Sequence, residues 1–441
     1  MATIIKNGTI ITMNVNRDIA KADVLIQEDR IVGIGCFEPG PDDIVIDAEG
    51  QLVIPGLIQT HIHLCQTLFR GMANDLELLD WLNLRIWPLE AGHDAESLYY
   101  SSLLGSAELL RGGTTSLIDM GTVHHTDSIF EAVSKIGIRY LGGKCMMDHG
   151  ELNAALLRED TDVSLQESVD LLERWDGKDS GRIRYAFCPR FVPSCSDTML
   201  REVQSLASQY HVAVHTHASE NRSEIELVEK ERGMRNILYL DSLGLCNDRL
   251  ILAHCIHVDE EEMKVIHDRG VHVAHCPSSN MKLASGVAPI WPYIIQGTSV
   301  GMGADGAPSN DNLNMFMEMR LAAFLQKPLY GPTSMPAEKV FEMATIGGAR
   351  AMGMENEIGS IESGKKADIA VIDLDYLHSS PHSKASVYAQ LVYQVQPQNV
   401  FCTLVDGKTV MLNGKILTAS EEEVKAGAEA SLQRVTGKLG M

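Results

Sequence analysis

No apolar run in this 441-residue sequence approaches the ~20 residues that cross a bilayer, so a membrane protein is not expected. The N-terminus, Met1-Ala2-Thr3-Ile4-Ile5-Lys6, lacks the charged-then-apolar order of a signal peptide. There is no Cys-x-x-Cys, and the nine cysteines are scattered and odd in number. A disulfide framework is therefore not expected, and a reducing cytoplasm is. Positive charge is also scarce. Lys and Arg number 37 against 59 Asp and Glu, for a formal net charge of -22. Such a chain repels phosphate backbones and anionic lipid, which argues against nucleic acid or a membrane surface as partner. There is no internal repeat and no low-complexity linker. What remains is an ordinary globular composition, 45% hydrophobic and 22% charged, long enough for a large core and a second unit.

Residues 1–55 read as short strands joined by turns. Thr3-Ile4-Ile5, Ile10–Met13, Val24-Leu25-Ile26, Ile31–Ile34 and Ile44-Val45-Ile46 are separated by Asn7-Gly8, Glu28-Asp29 and a Pro-Gly-Pro loop. From 56 to 358 the pattern changes to strands alternating with helices. The eight strand candidates are Leu57–Ile62, Thr115–Asp119, Ile138–Met146, Ile183–Cys188, Val212–His217, Leu250–His254, Val271–His275 and Val300–Asp305. This alternation implies parallel strands with right-handed crossovers, and eight of them suggest a closed (β/α)8 barrel. Residues 359–441 return to strands, at Asp368–Asp373, Val400–Leu404, Thr409–Leu412 and Ile416-Leu417, before a tail helix from Ser420 to Arg434. The expected fold is an α/β barrel inserted into a small β-sandwich whose halves are the terminal segments.

His61 and His63 close the first barrel strand. Residues two apart in a strand face the same way, so these imidazoles share one side. Active sites of such barrels lie at the C-terminal strand ends. There the chain supplies His217 on strand five, His254 on six, His275 on seven and Asp305 on eight. Their recurrence at one structural position predicts a metal site. Parity cannot separate His215 from His217; His217 is nearer the strand end and three residues before Glu220. His215 is read as a histidine packed within the barrel. Asp305 taken alone also suits a helix N-cap. Three imidazoles and a carboxylate leave a place for water, the open arrangement of a catalytic site. Glu220 is the candidate proton shuttle, with His254 and Asp305 placed to orient the water and accept its proton. Residues 183–190 contain no lysine to bridge a second ion, which favours one divalent metal per subunit. The cytidine-deaminase motif Pro-Cys-x-x-Cys is absent.

Five stretches carry a family resemblance: Pro55–His63, His215–Glu220, Leu252–Cys255, Ala274–Asn280 and Gly303–Gly306. Together they resemble the amidohydrolase superfamily, specifically the mononuclear aminohydrolases that include methylthioadenosine/S-adenosylhomocysteine deaminases and chlorotriazine hydrolases. The resemblance spans nearly the whole chain. It implies that His61, His63, His217 and Asp305 bind zinc, or iron; that Glu220 shuttles protons; and that His254 assists the water. Hydroxide would attack a ring carbon bearing an amino group, and ammonia would leave. Homo-oligomers are usual in the family.

Substrate is less sharply drawn. Leu79–Glu90 looks like the lid of the adenosine-type deaminases, in which Trp81 would contact the base and Glu90 the ribose hydroxyls. The group commonly shows Gly-Pro-His after strand four. Here Cys188-Pro189-Arg190-Phe191 stands instead, and resembles the Pro-Arg-Phe of guanine deaminases. Arg190 is a donor only and suits a carbonyl or anionic acceptor. His124 and His125 follow strand two and are candidates for the pocket wall. The expected activity is hydrolytic deamination of an adenosine-type small molecule. The alternatives are a guanine, other oxopurine or pterin deaminase, and an s-triazine amino- or chlorohydrolase. A metal-free scaffold is disfavoured because every ligand position is filled.

Overall fold

The computed structural model describes residues 2–150, 152–382 and 384–440. Strands β1 (Thr3–Ile11), β2 (Ile19–Gln27), β3 (Arg30–Gly35), β4 (Ile44–Asp47) and β5 (Leu52–Pro55) come first. The chain then enters the barrel strands β6 (Leu57–His63), β7 (Thr114–Met120) and β8 (Arg139–Gly143), followed by the short β9 (Cys145–Met146). The barrel continues with β10 (Ile183–Pro189), β11 (Ala213–Ala218), β12 (Leu250–His254), β13 (His272–His275) and β14 (Val300–Met302). A two-residue β15 (Asp305–Gly306) follows. The chain ends with β16 (Ile369–Ile372), β17 (Val400–Val405), β18 (Lys408–Leu412), β19 (Lys415–Ile416) and a helix at Glu421–Lys438.

The eight barrel strands run in the order β11-β12-β13-β14-β6-β7-β8-β10, and β10 pairs again with β11, closing the ring. All these pairings are parallel. β6, β7 and β8 are buried along their whole length, as strands covered on both faces must be. Local chemistry sets the helices between them. Asp94 and Ser97 form a capping box that starts Ala95–Arg111. Gly137, at φ 91°, ends Asp127–Ile136 in the left-handed conformation that glycine adopts without strain.

Two strand expectations shift in detail. The third candidate divides into β8 and β9, both paired to β10. The eighth stops at Met302, and Asp305 returns to the sheet separately by pairing with Ile62 of β6. The terminal halves meet in one continuous nine-stranded sheet, in which β5 pairs antiparallel with β16 and parallel with β1. Arg139, at the start of β8, fastens this sheet to the barrel. Its buried guanidinium donates to Asp368 at 2.7 and 3.0 Å and also to Asp406. Only Gly56 separates β5 from β6, so the sheet feeds directly into the strand that carries His61 and His63.

Candidate active site

The strand ends bring His61, His63, His217, His254 and Asp305 together, all buried. Asp305 Oδ1 lies 3.3 Å from His61 Nε2 and 3.5 Å from His63 Nε2. His63 Nε2 and His217 Nε2 stand 3.2 Å apart, with their rings stacked. Ligand atoms of His61, His63 and His217 lie within 4.8 Å of one another, as do those of His61, His254 and Asp305.

The second nitrogen of each ring fixes its tautomer. His63 Nδ1 bonds to the Met120 carbonyl at 3.0 Å, and His217 Nδ1 to the Arg190 carbonyl at 2.6 Å. A carbonyl only accepts, so both Nδ1 atoms carry hydrogen and both Nε2 atoms present bare lone pairs. Two lone pairs facing each other at 3.2 Å repel unless a cation lies between them. His61 Nδ1 bonds to His215 Nε2 at 2.8 Å, while His61 Nε2 is buried without a hydrogen bond. Burial, with repulsion from neighbouring imidazoles, holds His63 and His217 below the ordinary histidine range, His63 at about 3. Burial likewise lowers His61 against the pull of Asp305. Neutral imidazoles plus an ionised carboxylate are the donor set that a divalent cation takes. These residues therefore fit a divalent metal ion, with His61, His63 and His217 as one candidate donor group and His61, His254 and Asp305 as another. His215, packed inside the barrel, also orients His61.

Backbone strain is concentrated here. His254 (φ 74°), Ser219 (φ 54°) and Asp305 (φ 63°) are non-glycine residues in the left-handed region, at a cost of about 1–3 kcal/mol each. They aim side chains inward at the points where strands end. Gly303 is required beside them, because the His61 backbone occupies the space a Cβ would need. Gly303 N donates instead to the His275 carbonyl.

On the opposite wall Glu220 Oε2 faces His254 Nε2 at 3.4 Å. Burial raises the Glu220 carboxyl to about 7, against the opposing pull of His254. Burial disfavours charge on His254, but Glu220 and Asp305 outweigh it and the net shift is upward. His254 Nδ1 donates to Asn280 Oδ1 at 2.8 Å, which leaves Nε2 toward Glu220.

The pocket is walled by His63, Gln66, Leu78, Trp81, Leu82, Arg190, Phe191, His217, Glu220, His254, Leu283 and Asp305. Its free volume is about 20 Å³, space for roughly one water. The segment Leu78–Ile86 covers it, ending in a π-helical turn at Leu82–Ile86. Such turns are rare and frequent at functional sites. A larger surface groove of about 740 Å³, bordered by Glu108, Arg111, Phe401 and Lys425, contains none of these residues.

The remaining candidates fall into different places. Trp81 lines the pocket and its indole N–H has no partner. Arg190 lines it too, but its guanidinium is bound to Glu90, Nη1 to Oε2 at 2.6 Å and Nη2 to Oε1 at 3.3 Å. Glu90 lies behind Arg190 and Gln66 rather than in the wall, and Gln66 Nε2 donates to it at 2.8 Å. His124 is half exposed and its Nδ1 lies 3.6 Å from Glu159; His125 is exposed. Neither lines the pocket. His275 is buried with both ring nitrogens unpartnered and does not join the cluster. Sequence reading missed Gln66, Leu78 and Leu283 as pocket residues, and named Phe191 only as part of the Pro-Arg-Phe stretch. A polar residue three beyond His63 was a usable signal for Gln66; the apolar pair gave none.

A closed (β/α)8 barrel whose strand ends gather four histidines, an aspartate and a buried glutamate defines a class, and the comparisons along the chain agree with it. Residues 52–410 match the Amidohydrolase family, and the chain belongs to that family. Among its relatives is a 5′-deoxyadenosine deaminase of Methanothermobacter thermautotrophicus, 39% identical and covering 95% of this chain and 96% of that one. A 5-methylthioadenosine/S-adenosylhomocysteine deaminase of Syntrophomonas wolfei is 36% identical over 99% of this chain and 100% of its own. Among solved structures, an adenosine deaminase from Xanthomonas campestris with bound zinc superposes with a TM-score of 0.92. It is 31% identical and covers 99% of this chain and 98% of its own.

Proposed function

We propose that this protein is a metal-dependent hydrolytic deaminase of an adenosine-type substrate: 5′-deoxyadenosine, 5′-methylthioadenosine, S-adenosylhomocysteine or adenosine. The product is the corresponding inosine analogue, with ammonia. The observation that carries the reading is the convergence of the His61, His63 and His217 imidazoles and the Asp305 carboxylate opposite Glu220. A divalent ion there, zinc or iron, supplies an acidified water near neutral pH. The chain's own residues do the rest. Glu220, protonated over a useful fraction near pH 7, gives its proton to the ring nitrogen beside the amino-bearing carbon. The water oxygen bonds to that carbon as its proton passes toward Asp305 and His254. The C–N bond then breaks, and the departing amine takes a proton to leave as ammonia.

The names of the relatives support the adenosine side of the reading. With room for about one water, the pocket admits an aromatic ring only when Leu78–Ile86 swings away, which makes that segment a lid. Contact between Glu90 and a ribose diol requires a substrate hydroxyl to replace one of the bonds from Arg190 or Gln66. A second reading, an oxopurine, pterin or triazine substrate, is favoured by one observation. Arg190 and the unpartnered Gln66 Oε1 line the pocket and would meet a ring carbonyl and a ring N–H. A cytoplasmic homo-oligomer fits the free cysteines, eight of nine of them buried, and the family's habit. No described helix is long and apolar enough to cross a membrane.

The test is ultraviolet spectroscopy of the zinc-loaded protein with 5′-deoxyadenosine and, in parallel, guanine. Conversion of the adenine chromophore to hypoxanthine, lowered about 10²–10⁴-fold by Glu220→Gln, supports the first reading. An active guanine cuvette beside a silent adenine one transfers the assignment to the second. Silence in both, with zinc bound, removes 5′-deoxyadenosine and guanine as substrates of the zinc form.

A further inference from the structure

We infer that Glu318, on the helix Met315–Tyr330 outside the pocket, is a positioning residue that ties together the two loops holding Asp305 and His254. Glu318 is fully buried and takes no part in the pocket wall. Its carboxylate accepts from Ser278 N at 3.1 Å, Ser278 Oγ at 2.6 Å and Asn310 Nδ2 at 2.9 Å. Among the described residues no cation pairs with it. A buried carboxylate without a counter-ion is costly, and an apolar side chain would fill the same space more cheaply.

Both groups that hold Glu318 lead directly to the reacting groups. Ser278 opens the short helix Pro277–Lys282. Its next residue, Ser279, donates to Asp305 Oδ2 at 2.6 Å, and Asn280 accepts from His254 Nδ1 at 2.8 Å. Asn310 closes the turn Ala307–Asn310 and donates also to the Ala304 carbonyl, one residue before Asp305. Within that turn Ser309 donates to Asp305 Oδ2 at 3.1 Å. Asp305 Oδ2 is thereby held by two hydroxyls, one from each loop, which leaves Oδ1 toward His61 and His63. Glu318 bonds to both loops from a third element, beside a direct link in which Lys282 of the first loop donates to the Pro308 carbonyl at 2.9 Å and pairs with Asp311 of the second. If it is lost, the Lys282 link remains but Ser278 and Asn310 lose their common anchor, and the direction of Oδ1 and the ring plane of His254 are held together less firmly.

The inference rests on the metal-site reading above, and the experiment separates the two. Wild type, Glu318→Gln, Ser279→Ala and the double variant are loaded with zinc. Three quantities are measured: kcat per bound zinc with 5′-deoxyadenosine, KM, and the rate of zinc release to a chromophoric chelator. Outer-layer partners of metal ligands are typically worth about 10–100-fold in affinity or activity. Glu318→Gln is expected to lower kcat per bound zinc and to speed zinc release by factors in that range, with KM little changed. The double variant is expected to lose no more than the worse single one, because both act through one link. If Glu318→Gln does not fold, Ser278→Ala removes one of the three bonds from the other side, the 2.6 Å hydroxyl bond, while the backbone one stays, and should show the same pattern in weaker form. Folded Glu318→Gln with wild-type kcat per zinc and wild-type release overturns the inference, as does a loss confined to thermal stability. Losses that multiply in the double variant also overturn it. Should wild type deaminate nothing, the deaminase reading falls, while the zinc-release arm still decides the role of Glu318.

Discussion

Replacing Arg190 with methionine would test the buried Glu90–Arg190 pair. Both side chains are about 4% exposed, and they share hydrogen bonds of 2.6 and 3.3 Å. At a charge separation of about 4 Å and an effective dielectric of about 20, the attraction is about 4 kcal/mol. Breaking one side of a buried pair typically costs about 3–5 kcal/mol, because the other charge is left in an apolar place. Arg190→Met leaves Glu90 with the Gln66 amide alone, so a loss in that range is expected. The double variant Glu90→Gln/Arg190→Met carries no stranded charge and should regain most of it. pH adds a second signature. In the native protein burial raises the Glu90 carboxyl, but Arg190 and Gln66 outweigh burial and the net shift is downward. That contribution is present above the unfolded value of about 4.3 and is lost as pH falls through the folded one. In Arg190→Met the largest opposition to burial is gone, only weaker partners such as Gln66 remain, and the sign reverses. The defect should then be largest at neutral pH and shrink as pH falls through the raised carboxyl value. Urea unfolding at pH 7.5, 6 and 5 measures this. Zinc retention should survive, because the Arg190 carbonyl, which a side-chain change keeps, holds His217. A stability within about 1 kcal/mol of wild type, or a double variant worse than the single, would refute the stranded-charge argument.

Two further outcomes follow from the geometry. Gly306 has φ near -69°, which any residue adopts, but a Cβ there would fall on the Gln66 amide oxygen. Gly306→Ala should fold, displace Gln66 from Glu90 and lower kcat/KM on the order of 10²-fold, the size of a misplacement of about 1 Å; unchanged steady-state kinetics would remove Gln66 from the pocket's working parts. Glu342 accepts from Arg17 at 2.8 Å, Lys339 at 2.7 Å and Arg350 at 3.1 Å. Burial would raise it, but these cations bring it down to about 2. Its contribution is therefore present above the unfolded carboxylate value and lost as pH falls toward 2. Glu342→Gln should melt below wild type at pH 7, with the gap closing between pH 4.5 and 2.5; a constant gap would show that charge is not the cause.

The sequence by itself determined the barrel and which histidines and aspartate meet at its strand ends. Apolar runs of strand length, spaced by helices, located all eight barrel strands, because burial on both faces leaves only such runs. Strand parity put His61 and His63 on one side, and the rule of C-terminal strand ends found His217, His254 and Asp305. These signals are local or repeat with the fold's period, so they survive in one dimension. What tertiary structure decided lies between residues far apart in the chain. Glu90 and Arg190 are 100 positions apart, and nothing near either predicts that the arginine would bind the glutamate. Parity left His215 and His217 equivalent; the structure separates them, with His215 Nε2 2.8 Å from His61 Nδ1 inside the barrel and His217 Nε2 facing His63 in the pocket. His124 and His125 follow β7 as the sequence reading required, yet a turn with His125 at φ 60° carries them to the surface. No local signal around Glu318 names its partners. Its partners Ser278 and Asn310 became its neighbours when β13 and β14 were set side by side in the closed ring. Pattern fixes which face of an element is buried, whereas the identity of a buried partner depends on which elements the closed barrel makes adjacent.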